Sequence, residues 1–70
     1  MDRRPVESSC FRSVGHDPVT EVLELEFTSG SVYRYAAVPA AEYRRLLAAE
    51  SLGRCFHQRI RDRYRYRRVC

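Results

Sequence analysis

One run constrains this chain more than any other: the alternation Val22 to Phe27, then Thr28-Ser29-Gly30, then Ser31 to Pro39 with Tyr33-Arg34-Tyr35 at its centre. Leu23, Leu25 and Phe27 alternate with Glu24 and Glu26, the period of a strand with one dry face. Serine and glycine then mark a hairpin turn, and the length of that turn decides which side chains of the next strand face inward. A two-residue Ser29-Gly30 loop sets Arg34 opposite Leu25 and Tyr33 opposite Glu26. A three-residue loop with Gly30 in the left-handed region sets Tyr33 opposite Leu25, Tyr35 opposite Leu23 and Arg34 opposite Glu24. The second register gathers the apolar side chains on one face and pairs unlike charges on the other, so it is the predicted one. Val38-Pro39 ends the strand and hands the chain to a helix, where proline costs nothing because the first N–H groups have no partner.

Seventy residues allow one domain, spanning residues 1–70. A chain this short buries roughly 60% of its unfolded surface, and such a core contributes about 3–5 kcal/mol net. The large apolar residues are therefore needed inside, and a deep active-site cleft is not expected. Residues 1–7 are charged, contain Pro5 and show no period, so they are predicted to fray. Ser8 to Gly15 reads as a first strand, in which Phe11 and Val14 share a face only across a bulge near Arg12 or Ser13. His16 to Thr20 reads as a turn. Ala40 to Ala49 is predicted helical, with Tyr43, Leu46 and Leu47 on one stripe and Arg44 and Arg45 turned away. Ser51 is a cap for a second helix, Leu52 to about Arg61, in which Leu52, Phe56 and Ile60 recur every four residues beside Cys55. The tail, Asp62 to Cys70, is either a short last strand or an extended arm. The sum is an α+β domain: an antiparallel three-stranded β-meander, with a short fourth C-terminal strand as one option for the tail, packed against two short helices.

All thirteen basic residues are arginine, and they are unevenly placed. Met1 to Gly53 carries six arginines and eight acids, a formal −2; Arg54 to Cys70 carries seven arginines and one acid, Asp62, a formal +6. Arg54, Arg59, Arg61, Arg63, Arg65, Arg67 and Arg68, with Tyr64 and Tyr66 between them, are the candidate binding residues. Guanidinium groups neutralise phosphate and tyrosines stack on bases, a mixture suited to single-stranded or looped RNA. The competing reading, favoured for the two tyrosines, packs Tyr64 and Tyr66 onto the sheet and leaves the arginines merely solvated. Ser51-Leu52-Gly53-Arg54 offers free N–H groups to an anion, but an ordinary capped helix with Gly53 allowing close packing is the favoured reading.

Enzyme chemistry has no support in the residues. Ser51, His57 and Asp62 are spaced so that they do not converge as a triad. Cys55 and His57, two apart on a helix, do not share one ion, so no metal or other cofactor is expected. Cys10, Cys55 and Cys70 are odd in number and lack a CxxC spacing, which fits free thiols in a reducing compartment. With no apolar run long enough for a signal peptide or a membrane span, the expectation is a soluble, cytoplasmic protein with no membrane association.

Ser8-Ser9, Gly15 with Asp17, Leu23, Phe27, Ser29-Gly30, Tyr33-Arg34-Tyr35 with Val38-Pro39, then Ser51, Gly53, Phe56, Ile60, Tyr64 and Tyr66 together resemble the KTSC domain. That family is known from the C-terminus of some lysyl-tRNA synthetases and from small stand-alone bacterial proteins. The central Tyr-x-Tyr followed by Val-Pro is the most specific part of the match. The chain departs from the pattern at His16, at His57 and at Arg65. The synthetase setting implies an association with RNA. The family's biochemical role is unassigned, so the expectation is a small non-enzymatic domain of unassigned role, with binding of tRNA-like or single-stranded RNA through its basic C-terminal face as the first reading. The alternative is an accessory module that binds an acidic protein surface, through strand addition at a free edge for instance. The chain is expected to be a monomer or a weak homodimer.

Overall fold

The three-residue hairpin is realised in the computed structural model, which describes residues 2–70. Strands β3 (Val22–Phe27) and β4 (Val32–Tyr35) pair with Leu23 opposite Tyr35, Glu24 opposite Arg34 and Leu25 opposite Tyr33. Gly30 sits at φ +96°, where a side chain would be strained, and its N–H donates to the Phe27 carbonyl at 2.9 Å. The register does what its charges require: Arg34 Nε donates to Glu24 Oε1 at 2.7 Å on the outer face.

Strand β2 (Phe11–Asp17) lies on the other side of β3, with Phe11 opposite Phe27 but Ser13 opposite Glu26. Arg12 is the extra residue of a bulge, so Phe11 and Val14 both point inward and are fully buried. This strand starts and ends later than expected and takes in His16 and Asp17. The turn is correspondingly shorter: Asp17 Oδ1 accepts from the Val19 and Thr20 amides at 2.9 and 3.4 Å. The Val19 bond is the main reason the Asp17 carboxyl is held below its usual range.

The expected fraying of residues 1–7 is overturned at Arg3 to Val6; Met1 lies outside the described residues. Arg4–Pro5 forms an edge strand, β1, against Val14 and Ser13 of β2, and Val6 packs on the core. Gly15 makes room for this: a Cβ there would come within 2.5 Å of the Asp2 carbonyl oxygen and 3.0 Å of the Arg3 side chain. Arg3 thereby reaches Glu24 Oε2 at 3.2 Å, and Glu24 lies between two guanidinium groups. The tail is also a strand, β5 (Tyr66–Arg68), paired antiparallel with β4. The meander is therefore one five-stranded antiparallel sheet in sequential order, β1-β2-β3-β4-β5, rather than three or four strands.

Between β4 and the first helix, Ala37 adopts φ 58°. The kink drops Val38 into the core and turns its carbonyl to His16 Nε2, 2.7 Å away. Helix α1 (Ala40–Ala48) then buries Leu46 and half-buries Tyr43 and Leu47, with Arg44 and Arg45 outside. Helix α2 (Leu52–Arg59) is capped by Ser51 Oγ, which accepts from the Arg54 amide at 3.2 Å, and it ends two residues before Arg61. Both helices cover the face carrying Leu23, Leu25 and Tyr35, and Phe56 and Ile60 complete the core.

Candidate nucleic-acid interface

Strand β5 sets the geometry of the basic tail. In its register Tyr66 faces Tyr35, Arg67 faces Arg34 and Arg68 faces Tyr33. Alternation puts Tyr66 and Arg68 on the helix side of the sheet and Arg67 on the outer side with Arg34. The arginines of the tail thus do not share one face; they run as a band around the β5 edge. The turn after α2 carries Arg61 and Arg63, both exposed, and Arg65 is anchored only through its carbonyl, which accepts from the Ala36 amide at 2.8 Å. Arg68 Nε donates to the Cys70 carbonyl at 2.9 Å.

Two of the expected residues stand apart. Arg59 Nε donates to Glu42 Oε1 at 2.9 Å, tying α2 to α1, and this bond raises the affinity of the guanidinium for its proton. Its charge is already matched. Arg54 lies at the opposite end of α2 from Arg61, and Gly53 beside it is buried with Cys10 packed so close that a Cβ would come within 2.9 Å of its Sγ. The start of α2 is therefore a packed, capped helix end. Among the described residues Arg54, Arg61, Arg63, Arg65, Arg67 and Arg68 make no ion pair with a carboxylate; the three pairs present use Arg3, Arg34 and Arg59.

The two tail tyrosines divide. Tyr64 is half-buried against the core, as expected of a small domain short of apolar side chains. Tyr66 is 58% exposed, contrary to the favoured reading, although its strand forms. Its ring lies 5.3 Å from that of Tyr35 and 5.7 Å from that of Tyr33. Phe56 meets Tyr35 edge-on at 5.5 Å, and His57 meets Phe56 at 5.4 Å. These rings floor a recess of about 450 Å³ between the end of α2 and β4–β5, with Arg61 and Asp62 on its rim. Arg61 Nη1 lies 3.3 Å from His57 Nδ1, to which it donates when that nitrogen carries no proton, and this sets the guanidinium beside the recess. A second, smaller recess of about 270 Å³ opens beside Arg34, Arg65 and Arg67, and Tyr35 and Tyr66 wall both. Sequence reasoning named Tyr66 and Arg61 but missed Tyr33, Phe56 and His57 as their neighbours. The visible signal was the four-residue step from His57 to Arg61, which would put both on one face of a helix running to about Arg61; the helix stops at Arg59, and Arg61 reaches His57 from the turn that follows.

Burial, helped by the neighbouring Tyr66 and Tyr33, pushes the Tyr35 hydroxyl up to about 12. His16 is occupied by the Val38 carbonyl and stacks on Tyr43 at 5.1 Å between centroids. Among the described residues no three His, Cys, Asp or Glu side chains cluster as a metal site, and the three cysteines are free thiols. No helix is long and apolar enough to cross a membrane.

An open antiparallel sheet with two helices on one face and a basic, aromatic last strand defines a small α+β domain. The model of the KTSC domain family matches residues 7–64, and the chain belongs to that family. It is 49% identical over 70 residues to an uncharacterized protein of Stutzerimonas stutzeri, covering 99% of each chain. It is also 36% identical over 63 residues to a lysine–tRNA ligase of Nostoc, covering 90% of this chain and 11% of the ligase. The crystal structure of a KTSC domain protein from Yersinia pestis superposes with a TM-score of 0.96 at 33% identity, covering 99% of this chain and 97% of that one.

Proposed function

We propose that this domain is a non-enzymatic RNA-binding module that grips single-stranded or looped RNA along the β5 edge. The observation that carries the reading is the band of unpaired guanidinium groups at Arg61, Arg63, Arg65 and Arg67 around the exposed ring of Tyr66. Phosphates pair with the arginines, and bases stack where the aromatic rings open to solvent. The likeness to a segment of lysine–tRNA ligases supports RNA as the ligand. Anisotropy titration of a labelled single-stranded RNA and of tRNA at low salt tests it. Saturable binding is expected, weakened by the triple substitution Arg63→Ala, Arg65→Ala, Arg67→Ala with the fold intact by circular dichroism. No binding at low salt ends the proposal.

A second reading rests on the position of β5 at the end of the sheet order, with one side unpaired. A free edge accepts an added strand from an acidic protein partner, and its arginines would supply the complementary charge. A complex that survives ribonuclease treatment favours this reading over the first.

A further inference from the structure

We infer that the recess between α2 and β4–β5 is a pocket for one unstacked base, an inference that rests on the RNA reading above and locates its specific contact. A small core has use for every aromatic ring, yet Tyr66 leaves more than half its surface open while its inner side lies on Tyr33 and Tyr35. A base laid against the open face of Tyr66 would add a ring to this tilted aromatic cluster, and stacking on sheet aromatics is the usual way single-stranded nucleic acids are held. The recess volume of about 450 Å³ falls within the range of small-ligand clefts. Arg61, within hydrogen-bond reach of His57, lines the same recess and is placed to meet the phosphate of that nucleotide. The chain of phosphates then continues over the edge toward Arg65 and Arg67, whose recess shares the Tyr35–Tyr66 wall. Asp62, also lining the recess, can accept from the N–H groups of a base. A purine, with the larger ring face, is the preferred occupant.

Two measurements test the pocket separately from the basic band. Guanosine monophosphate titrated by NMR should shift the side-chain signals of Tyr33, Tyr66 and His57, whereas ribose 5-phosphate should move Arg61 but not the rings. In RNA titrations Tyr66→Ala should weaken binding roughly 5- to 100-fold, the loss of one stacked base, while Tyr66→Phe keeps it. The salt dependence should not change, because every arginine that pairs with a phosphate is still in place. RNA bound equally well by Tyr66→Ala overturns the pocket and leaves the basic band standing. If RNA fails to bind at all, the wider proposal falls, and ring signals unmoved by guanosine monophosphate then dispose of the pocket as well.

Discussion

At the residue scale, two side chains carry measurable consequences. Tyr35 ionises near 10.0 in the unfolded chain and at about 12 in the folded one, because burial disfavours the phenolate. Below pH 10 the group leaves stability untouched. Between pH 10 and 12 the unfolded chain releases the proton first, so stability falls as pH rises through that window. Ultraviolet titration should show a tyrosinate component at about 12 that is absent from Tyr35→Phe; its persistence in that variant would place the perturbed ring elsewhere. Ala37, at φ 58°, occupies backbone space that costs a side-chain-bearing residue about 1–2 kcal/mol. Glycine removes that strain but loses about 0.4–1 kcal/mol through a freer unfolded chain. Ala37→Gly is therefore expected to raise stability by roughly 0.5–1 kcal/mol, read as a higher urea midpoint. A fall would mean the strain is absent.

At the scale of elements, the hairpin was legible because loop length and charge pairing both pointed to one register. Only that register places Tyr35 on Leu23 and Arg34 on Glu24 together. The bulge at Arg12 was legible for a similar reason: Phe11 and Val14 could not otherwise share the core. Strand β1 was not legible, because two residues carry no period and its pairing depends on Gly15 and Glu24, which lie far along the chain. The recess was hidden for the same reason, since it joins the end of α2 to strands separated from it by turns. Removing residues 1–7 should lower stability by about 1–2 kcal/mol, from the half-buried Val6 and the Arg3–Glu24 pair. Glu24→Gln should cost about 1 kcal/mol, since Arg3 and Arg34 stay partly in water at 30% and 43% exposure. Urea denaturation measures both, and a midpoint unchanged by the deletion would return residues 1–7 to a frayed end.

At the scale of the whole molecule, charge and core are segregated along the chain. Acids concentrate before Gly53, and Glu24 and Glu42 are used up in holding the sheet and helices together. Of the arginines that follow, Arg61, Arg63, Arg65, Arg67 and Arg68 make no ion pair among the described residues and lie about the β5 edge of the sheet, while Arg59 is paired with Glu42 and Arg54 sits at the far end of α2. An edge strand studded with charge also resists pairing with its own kind, which lets the domain keep a free edge without aggregating. The central claim, that this edge meets phosphates, is tested most directly by the salt dependence of RNA binding. Each arginine–phosphate pair that is broken lowers the slope of log affinity against log salt by about 0.7 on a single strand. Substituting Arg63, Arg65 and Arg67 together by alanine is predicted to reduce that slope by roughly 2. A slope equal to that of the wild type would place the phosphate-binding arginines somewhere other than β5 and contradict the account.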